Sequence, residues 1–151
     1  MKHPKAWFPA AAWMVVIFLM SAAPGNISGE QSGLIVRMIL AVHGVFFGDT
    51  PIAPETIDLI HTFVRKAAHM SEYAVLALLY LYALCKNEAK RPMRTALLLC
   101  ALYAATDEIH EAFVPDRGPS PIDVMIDTAG AAVGLALHRL ACRIRYNHPV
   151  I

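Results

Sequence analysis

Ionisable side chains suited to anion binding and proton transfer are concentrated in "RKAAHMSEY", residues 65–73, where an apolar run begins. Successive helical residues turn by about 100°, so Arg65, His69 and Glu72 fall within a stripe about 60° wide. A guanidinium, an imidazole and a carboxylate on one stripe can hold an anion and move a proton. Each charge costs about 2.5–3.5 kcal/mol at the middle of a membrane on insertion scales, so its presence there needs a reason.

A second group of ionisable residues lies in "YAATDEIHEAF", residues 103–113. Helical geometry places Asp107 and Glu111 one turn apart and His110 close to the same side, whereas Glu108 points about 100° away. Carboxylates and imidazoles are the usual general acids and bases of enzymes. This segment is therefore a second candidate source of proton-transfer groups.

A third group combines carboxylates with small residues in "DVMIDTAGAAVG", residues 123–134. Asp123, Asp127, Gly130 and Gly134 share one helical face. Two glycines four residues apart allow membrane helices to approach closely, so this face is expected to pack against protein. The two carboxylates are then directed into the protein and away from lipid.

The composition indicates a membrane protein. The 151-residue chain is 57% hydrophobic and 17% charged, whereas soluble domains carry about 25% charged residues. Its formal net charge of +1 gives no case for nucleic acid as a partner. We predict an all-α membrane protein with a single domain, residues 1–151, and the lipid bilayer as its surroundings. The four predicted transmembrane helices are about 7–23, 67–85, 95–114 and 121–142.

Two parts of this prediction have alternatives. The first apolar run follows Lys2 and Lys5 and ends in small residues, so a secretory signal peptide is the alternative to a span. Residues 33–48 have apolar side chains at helical spacing, interrupted by Arg37 and His43. They predict a short amphipathic or re-entrant helix between the first and second spans, and a spanning helix stays open.

The basic residues predict an orientation, because short cytoplasmic loops are enriched in Lys and Arg. Basic clusters precede the first span, connect the second to the third and follow the fourth. With four spans, all three clusters lie on one side, so both termini are expected in the cytoplasm. Four basic residues fall on the outer side, against the rule, and need a reason other than topology: Arg37, Arg65, Lys66 and Arg117.

Depth along the predicted helices brings carboxylates to one level. At 1.5 Å per residue, Glu72, Asp107 and Asp127 each lie about 10 Å below the outer membrane surface. We therefore predict a polar site that opens to the outer side of the membrane. The cations expected above these carboxylates are Arg65, Lys66 and Arg117. The alternative is structural, with each polar residue making only a hydrogen bond between helices.

These segments also resemble a known family. "VRKAAHMSEYAVLALL" and "DEIHEAFVPDRGPSPIDVMIDTAGAAVG" are similar to the VanZ-like family of small bacterial membrane proteins over about residues 59–138, and "FLMSAAPG" also fits. Two departures are Glu111, where the family often has Gln, and the proline-rich turn "PDRGPSP". The residues that carry the resemblance are Arg65, Lys66, His69, Tyr73, Asp107, Glu108, His110, Arg117, Asp123, Asp127 and Gly130. The resemblance implies a bacterial cytoplasmic membrane and an association with glycopeptide antibiotic resistance, particularly to teicoplanin, and it implies no reaction.

Three hypotheses for the function follow. The first is an enzyme that acts on a lipid-linked or other anionic envelope substrate. Its candidate catalytic residues are His69, Glu72, Asp107, Glu108 and His110. Its candidate substrate-binding residues are Arg65, Lys66, Tyr73 and Arg117. Its candidate metal ligands are Asp107, Asp123 and Asp127, which suit a divalent cation such as Mg²⁺ or Ca²⁺, and the two histidines also allow Zn²⁺.

The second hypothesis is a protein that binds or shields an envelope headgroup, peptide or antibiotic without turnover. The third is a proton-coupled carrier, which ranks last because four spans without an inverted repeat would need a dimer. The sequence alone leaves the choice between enzyme and binder open.

Overall fold

The chain folds entirely into helices in the computed structural model, which describes residues 2–23, 25–48, 51–115, 117–118 and 120–147. These ranges contain no strand. Proline occupies the first position of three helices, where its missing N–H removes no helical hydrogen bond. After a 3-10 turn at Pro4–Trp7, the helices are α1 (Phe8–Ser21), α2 (Gly25–Phe47), α3 (Pro54–Lys86), α4 (Pro92–Glu111) and α5 (Pro121–Asn147).

Three of these helical segments are long and apolar enough to cross a membrane: Pro4–Ser21, Pro54–Lys86 and Pro121–Tyr146. They indicate a multi-pass membrane protein and confirm three of the four predicted spans. The helix at the remaining predicted span, α4, has a lower mean hydropathy over a membrane-spanning length than these three, because carboxylates crowd its last turns. Helix α3 is unbroken over 33 residues and begins well before the predicted span 67–85. Its length of about 50 Å exceeds a bilayer core of about 30 Å.

Close contact between α3 and α5 forms the centre of the bundle. A Cβ atom added to Gly130 would lie 2.6 Å from Met70 Cα, and one added to Gly134 would lie 2.9 Å from Ala74 Cβ. Such distances leave room only for glycine. The predicted packing face of α5 is therefore confirmed, and it faces α3.

The first helix is an integral part of this bundle. The Trp13 indole Nε1 donates a hydrogen bond to the Glu72 carbonyl oxygen at 3.0 Å, and the Tyr103 hydroxyl donates one to the Met14 carbonyl oxygen at 2.6 Å. Ile17 is fully buried. These contacts attach α1 to both α3 and α4, as expected for a membrane span.

Helix α2 begins earlier than the predicted segment 33–48 and is 23 residues long. Its apolar part, Gly33–Phe47, is shorter than a membrane span. Val36 is buried, while Met38, Val42 and Phe46 are exposed. The exposed apolar face suits contact with lipid. Whether α2 lies at the interface, re-enters or spans stays open.

The basic residues gather at one end of the bundle, which we term the basic end. Lys2 Nζ lies 2.6 Å from a Glu88 carboxylate oxygen, and the His3 backbone N–H donates to Asn87 Oδ1 at 3.0 Å. These contacts join the N-terminal segment to the connection between α3 and α4. Arg94, from the cluster between α3 and α4, and Arg139, from the cluster on α5, line a common groove. The three basic clusters therefore lie at the same end of the molecule.

Candidate functional site

A polar cavity of about 180 Å³ lies at the opposite end of the bundle, between α3, α5, the end of α4 and the segment that follows it. We term this end the cavity end. Most of the lining residues are ionisable, which is unusual for a helical bundle in a membrane. The described lining residues are Arg65, Lys66, His69, Glu108, Glu111, Arg117, Gly118, Asp123, Ile126 and Asp127.

The most buried group of the cavity is Asp127, one turn after Asp123 on the α5 face that packs against α3. The residue is only 1% exposed, and neither carboxylate oxygen has a hydrogen-bond partner among the described residues. His69 Nδ1 on α3 lies 4.0 Å from Asp127 Oδ1. This distance is longer than a direct hydrogen bond.

Two ion pairs flank this carboxylate. Lys66 Nζ lies 2.7 Å from Asp123 Oδ1, and both side chains are partly exposed. The Arg117 guanidinium pairs with the Glu111 carboxylate, and both side chains are largely buried. The first pair joins α3 to α5, and the second joins the segment after α4 back to α4. Residues that were far apart in sequence thus share one wall.

The wall between α4 and α5 is fixed by hydrogen bonds at the start of α5. The Ser120 backbone N–H donates to Glu108 Oε2 at 2.7 Å. The Ser120 hydroxyl in turn accepts a weaker hydrogen bond from the Asp123 backbone N–H at 3.3 Å. Ser120 therefore caps α5, as serine often does at a helix N-terminus. Through this cap, Glu108 on α4 helps to position the first turn of α5.

Four of the predicted site residues lie outside the cavity lining. Asp107 is buried behind it, where Asp107 Oδ2 accepts hydrogen bonds from the Ser21 hydroxyl at 2.9 Å and the Tyr73 hydroxyl at 3.3 Å. The His110 ring lies 4.2 Å from the ring of Phe18, centroid to centroid. The predicted residues outside the lining are Glu72, Tyr73, Asp107 and His110.

The predicted set therefore divides into a cavity group and a buried network. The predicted catalytic residues His69 and Glu108 line the cavity, whereas the network around Asp107 links α1, α3 and α4. All three predicted cations also line the cavity. The site assignment as a whole stays a prediction, since geometry alone tests no activity.

Sequence reasoning missed two residues of this arrangement. Ser21, at the end of α1, is 1% exposed and bonds to Asp107. Glu111 was noted on the face of Asp107 but was not assigned to the site. Ser21 belongs to "FLMSAAPG", a stretch that carried the family resemblance. Glu111 could have been found from its spacing to Arg117, which returns over it after a short turn.

The predicted metal ligands are held apart by different partners. Asp107 belongs to the buried network, Asp123 pairs with Lys66, and Asp127 faces the cavity. Across the residues that the structure describes, no group of three or more His, Cys, Asp and Glu side chains is arranged to hold a metal ion. The metal hypothesis stays a prediction.

Comparison with known proteins adds one finding. The model of the VanZ/LLP1 family matches residues 6–142, nearly the whole chain. The comparison with curated proteins gave no match, and neither did the comparison with solved structures.

Proposed function

The chain belongs to the VanZ/LLP1 family, and from this premise we propose that its polar cavity binds an anionic headgroup of a lipid-linked or other envelope substrate and acts on it by proton transfer. Membership of the family suggests an envelope-associated protein with a link to antibiotic resistance. The family supplies no reaction, so the chemistry must come from the cavity residues.

The observation that carries the proposal is the state of Asp127. A buried carboxylate without a hydrogen bond costs several kcal/mol in a low-dielectric interior, so natural proteins rarely keep one without a use. Here the group faces a cavity beside the His69 imidazole, and neither of its oxygens has a hydrogen-bond partner among the described residues. In the proposal, Asp127 orients His69 and stabilises its protonated form, and His69 accepts or donates the proton.

The cations provide the anion-binding part. Within the described lining there are three cations and four carboxylates. Lys66 is partly exposed in its pair with Asp123, so an incoming phosphate can replace that carboxylate at little cost. Arg65 is exposed at the rim, and Arg117 lies deeper. We assign first contact with the anion to Arg65 and Lys66, and its orientation to Arg117 through the planar guanidinium.

The proposal includes a topology. The 20 residues of α4 span about 30 Å, and Leu98, Leu102 and Ile109 are exposed along it, which supports a fourth span. Four spans and the positive-inside rule then place the basic end and both termini in the cytoplasm of a bacterium. The polar cavity opens to the outer side of the cytoplasmic membrane, where envelope substrates are exposed.

The alternative is capture of the headgroup or an antibiotic without turnover. One observation favours it: none of the described lining residues is Ser, Thr or Cys. A covalent intermediate on a hydroxyl or thiol therefore has no candidate among them. Proton transfer by His69 or a carboxylate remains the basis of the enzymatic proposal.

The test uses purified full-length protein in detergent micelles with radiolabelled polyprenyl phosphate and polyprenyl pyrophosphate as probes. Lipid products and bound lipid are both measured, with and without a chelator. The variants are His69→Ala, Asp127→Asn and Lys66→Gln. The matched control is His138→Ala, which removes an exposed histidine outside the cavity lining.

Turnover that falls by about 10²-fold or more in His69→Ala and is retained in His138→Ala supports the enzyme, since general acid–base catalysis contributes about 10²–10⁴-fold. Saturable binding with unchanged lipid, lost in Lys66→Gln, supports the binder. Equal behaviour of the wild type and all cavity variants in both measurements would refute a functional cavity.

A further inference from the structure

A second groove lies at the basic end, between α4 and α5, with a volume of about 630 Å³. It is separate from the polar cavity, and none of the proposed site residues contributes to it. We term it the arginine groove. Its described lining residues are Met93, Arg94, Leu97, Ala132, Leu135, Ala136, Arg139, Leu140 and Arg143.

The groove changes character along its length. On α5, its lining residues recur at intervals of three and four, so they form one stripe. The stripe is apolar and small at Ala132 and Ala136 and becomes basic at Arg139 and Arg143. From Ala132 to Arg143, which are 11 positions apart, the stripe rises by about 16 Å. The antiparallel α4 adds Arg94 at the basic end of the groove, so cations from two helices converge there.

The arginines of the groove have no counter-charge among the residues that the structure describes. Among the residues that the structure describes, no ion pair or hydrogen bond joins the side chains of Arg94, Arg139 or Arg143 to a carboxylate. All three residues are exposed. A cluster of like charges at a membrane surface is favourable when an anion lies between the cations.

We propose that the arginine groove binds one anionic phospholipid from the adjacent leaflet. The three arginines hold its phosphate, and an acyl chain lies along the small and apolar residues Ala132, Ala136 and Leu97. Charge complementarity identifies the headgroup as anionic. The apolar continuation of the groove identifies the ligand as a lipid and not as free phosphate.

The general tendency for basic residues to gather at one membrane face does not account for this arrangement. Lys86, Lys90 and Arg145 lie at the same end but do not line the groove. The tendency predicts charge at this end of the molecule and predicts no convergence of arginines on an apolar groove. These other cations therefore provide a matched control.

The test measures lipid binding to the full-length protein in detergent by native mass spectrometry. The probes are dioctanoyl phosphatidylglycerol, dioctanoyl phosphatidylcholine and glycerol phosphate, which separate the charge of the headgroup from the acyl chains. One variant combines Arg94→Gln, Arg139→Gln and Arg143→Gln. Its control combines Lys86→Gln, Lys90→Gln and Arg145→Gln and removes the same charge from outside the groove.

A further variant, with Ala132→Phe and Ala136→Phe, fills the exposed apolar part and keeps every arginine. It carries the test if the arginine variant does not fold. Circular dichroism verifies the helix content of each variant.

The wild type should prefer phosphatidylglycerol to phosphatidylcholine. The arginine variant should lose at least about tenfold in affinity for phosphatidylglycerol, since each cation near an anionic lipid contributes about fivefold. The charge control should stay within about twofold, because its cations lie outside the groove. The filled variant should lose binding although its charge is unchanged.

Three results would overturn the proposal. Equal losses in the arginine variant and the charge control would mean that only bulk charge matters. If glycerol phosphate binds as tightly as phosphatidylglycerol, the acyl chains contribute nothing to binding and the groove is not a lipid site. Wild-type affinity in the filled variant would show that no acyl chain occupies the groove.

Discussion

Both ends of the bundle carry several ionisable residues, but in opposite arrangements. At the cavity end, cations and carboxylates from three helices and a turn are interleaved, and most are buried or partly buried. At the basic end, arginines line an open groove, and among the described residues they have no acidic partner there. The number of charges thus says little about a region until their partners and their burial are known.

The difference teaches what each end is suited to recognise. An end whose charges nearly cancel has a polar interior that can rearrange around a headgroup. Its most buried carboxylate, Asp127, has no hydrogen-bond partner among the described residues. A groove whose charged lining is all of one sign attracts anions from a distance, and none of its described lining residues is acidic. The predictions below test this contrast by changing one end and comparing the effect with a matched change elsewhere.

The largest expected effect is at the buried pair of the cavity end. Arg117→Met leaves the Glu111 carboxylate buried without its partner, and breaking such a pair costs about 3–5 kcal/mol. We expect the free energy of unfolding, measured by denaturant titration in mixed micelles, to fall by this amount. Adding Glu111→Leu to the same chain should restore part of the loss. A loss under 1 kcal/mol for the single variant would show that the pair is effectively solvated.

The next effect is at the contact that holds both ends in place. Gly130→Ala puts a methyl group against the main chain of Met70, and overpacking of this kind costs about 1–3 kcal/mol. The control is Gly44→Ala on α2, where an added Cβ meets nothing within 4 Å. Replacing glycine within a helix should stabilise the control by about 0.5–1 kcal/mol. Equal effects of the two substitutions on unfolding would show that α3 and α5 do not need this close approach.

A smaller effect of opposite sign is expected at Asp127, the buried carboxylate without a hydrogen-bond partner among the described residues. Asp127→Asn replaces a carboxyl group, which is costly to bury because it must be desolvated as a charge or neutralised, with an amide that cannot ionise, so we expect the protein to gain about 1 kcal/mol in unfolding free energy. Binding or turnover of the polyprenyl probes should be lost at the same time. A loss of stability together with retained function would assign Asp127 a purely structural role.

The smallest effect is expected at the exposed pair of the basic end. Lys2 and Glu88 are 65% and 68% exposed, and exposed pairs contribute about 0–1 kcal/mol. Lys2→Gln should therefore change the unfolding free energy by less than about 1 kcal/mol, and added salt should reduce the difference further. A change as large as that of Arg117→Met would contradict the contrast between the two ends.

Local patterns in the sequence were enough to predict several elements. The start of the fourth predicted span, residue 121, coincides with the start of α5 at Pro121, where the proline ring fits the first turn. The glycine spacing of α5 correctly predicts the face that packs closely, since angular position on a helix follows from residue number. The apolar runs predict the membrane class and four spans, and three of these coincide with helices long and apolar enough to cross a membrane. Charged residues near both ends of α4 keep its mean hydropathy over a membrane-spanning length below that of the other three spans.

The candidate site could be predicted only in part. The sequence correctly separates Glu108 from Asp107 by about 100°, yet it does not determine which of the two faces the cavity. In the structure Glu108 lines the cavity and Asp107 binds Ser21 and Tyr73. The rotation of α4 about its axis decides this, and that rotation depends on packing against α1, α3 and α5.

By itself, the sequence determined the helices, their apolar and polar faces, and the family. These follow from short-range rules of spacing, capping and hydropathy that act within one segment. Only the tertiary structure decided which charges pair and where the arginines converge. It also decided which buried carboxylate has no hydrogen-bond partner among the described residues. Those outcomes depend on distances between helices, which are set by how closely separate segments can pack.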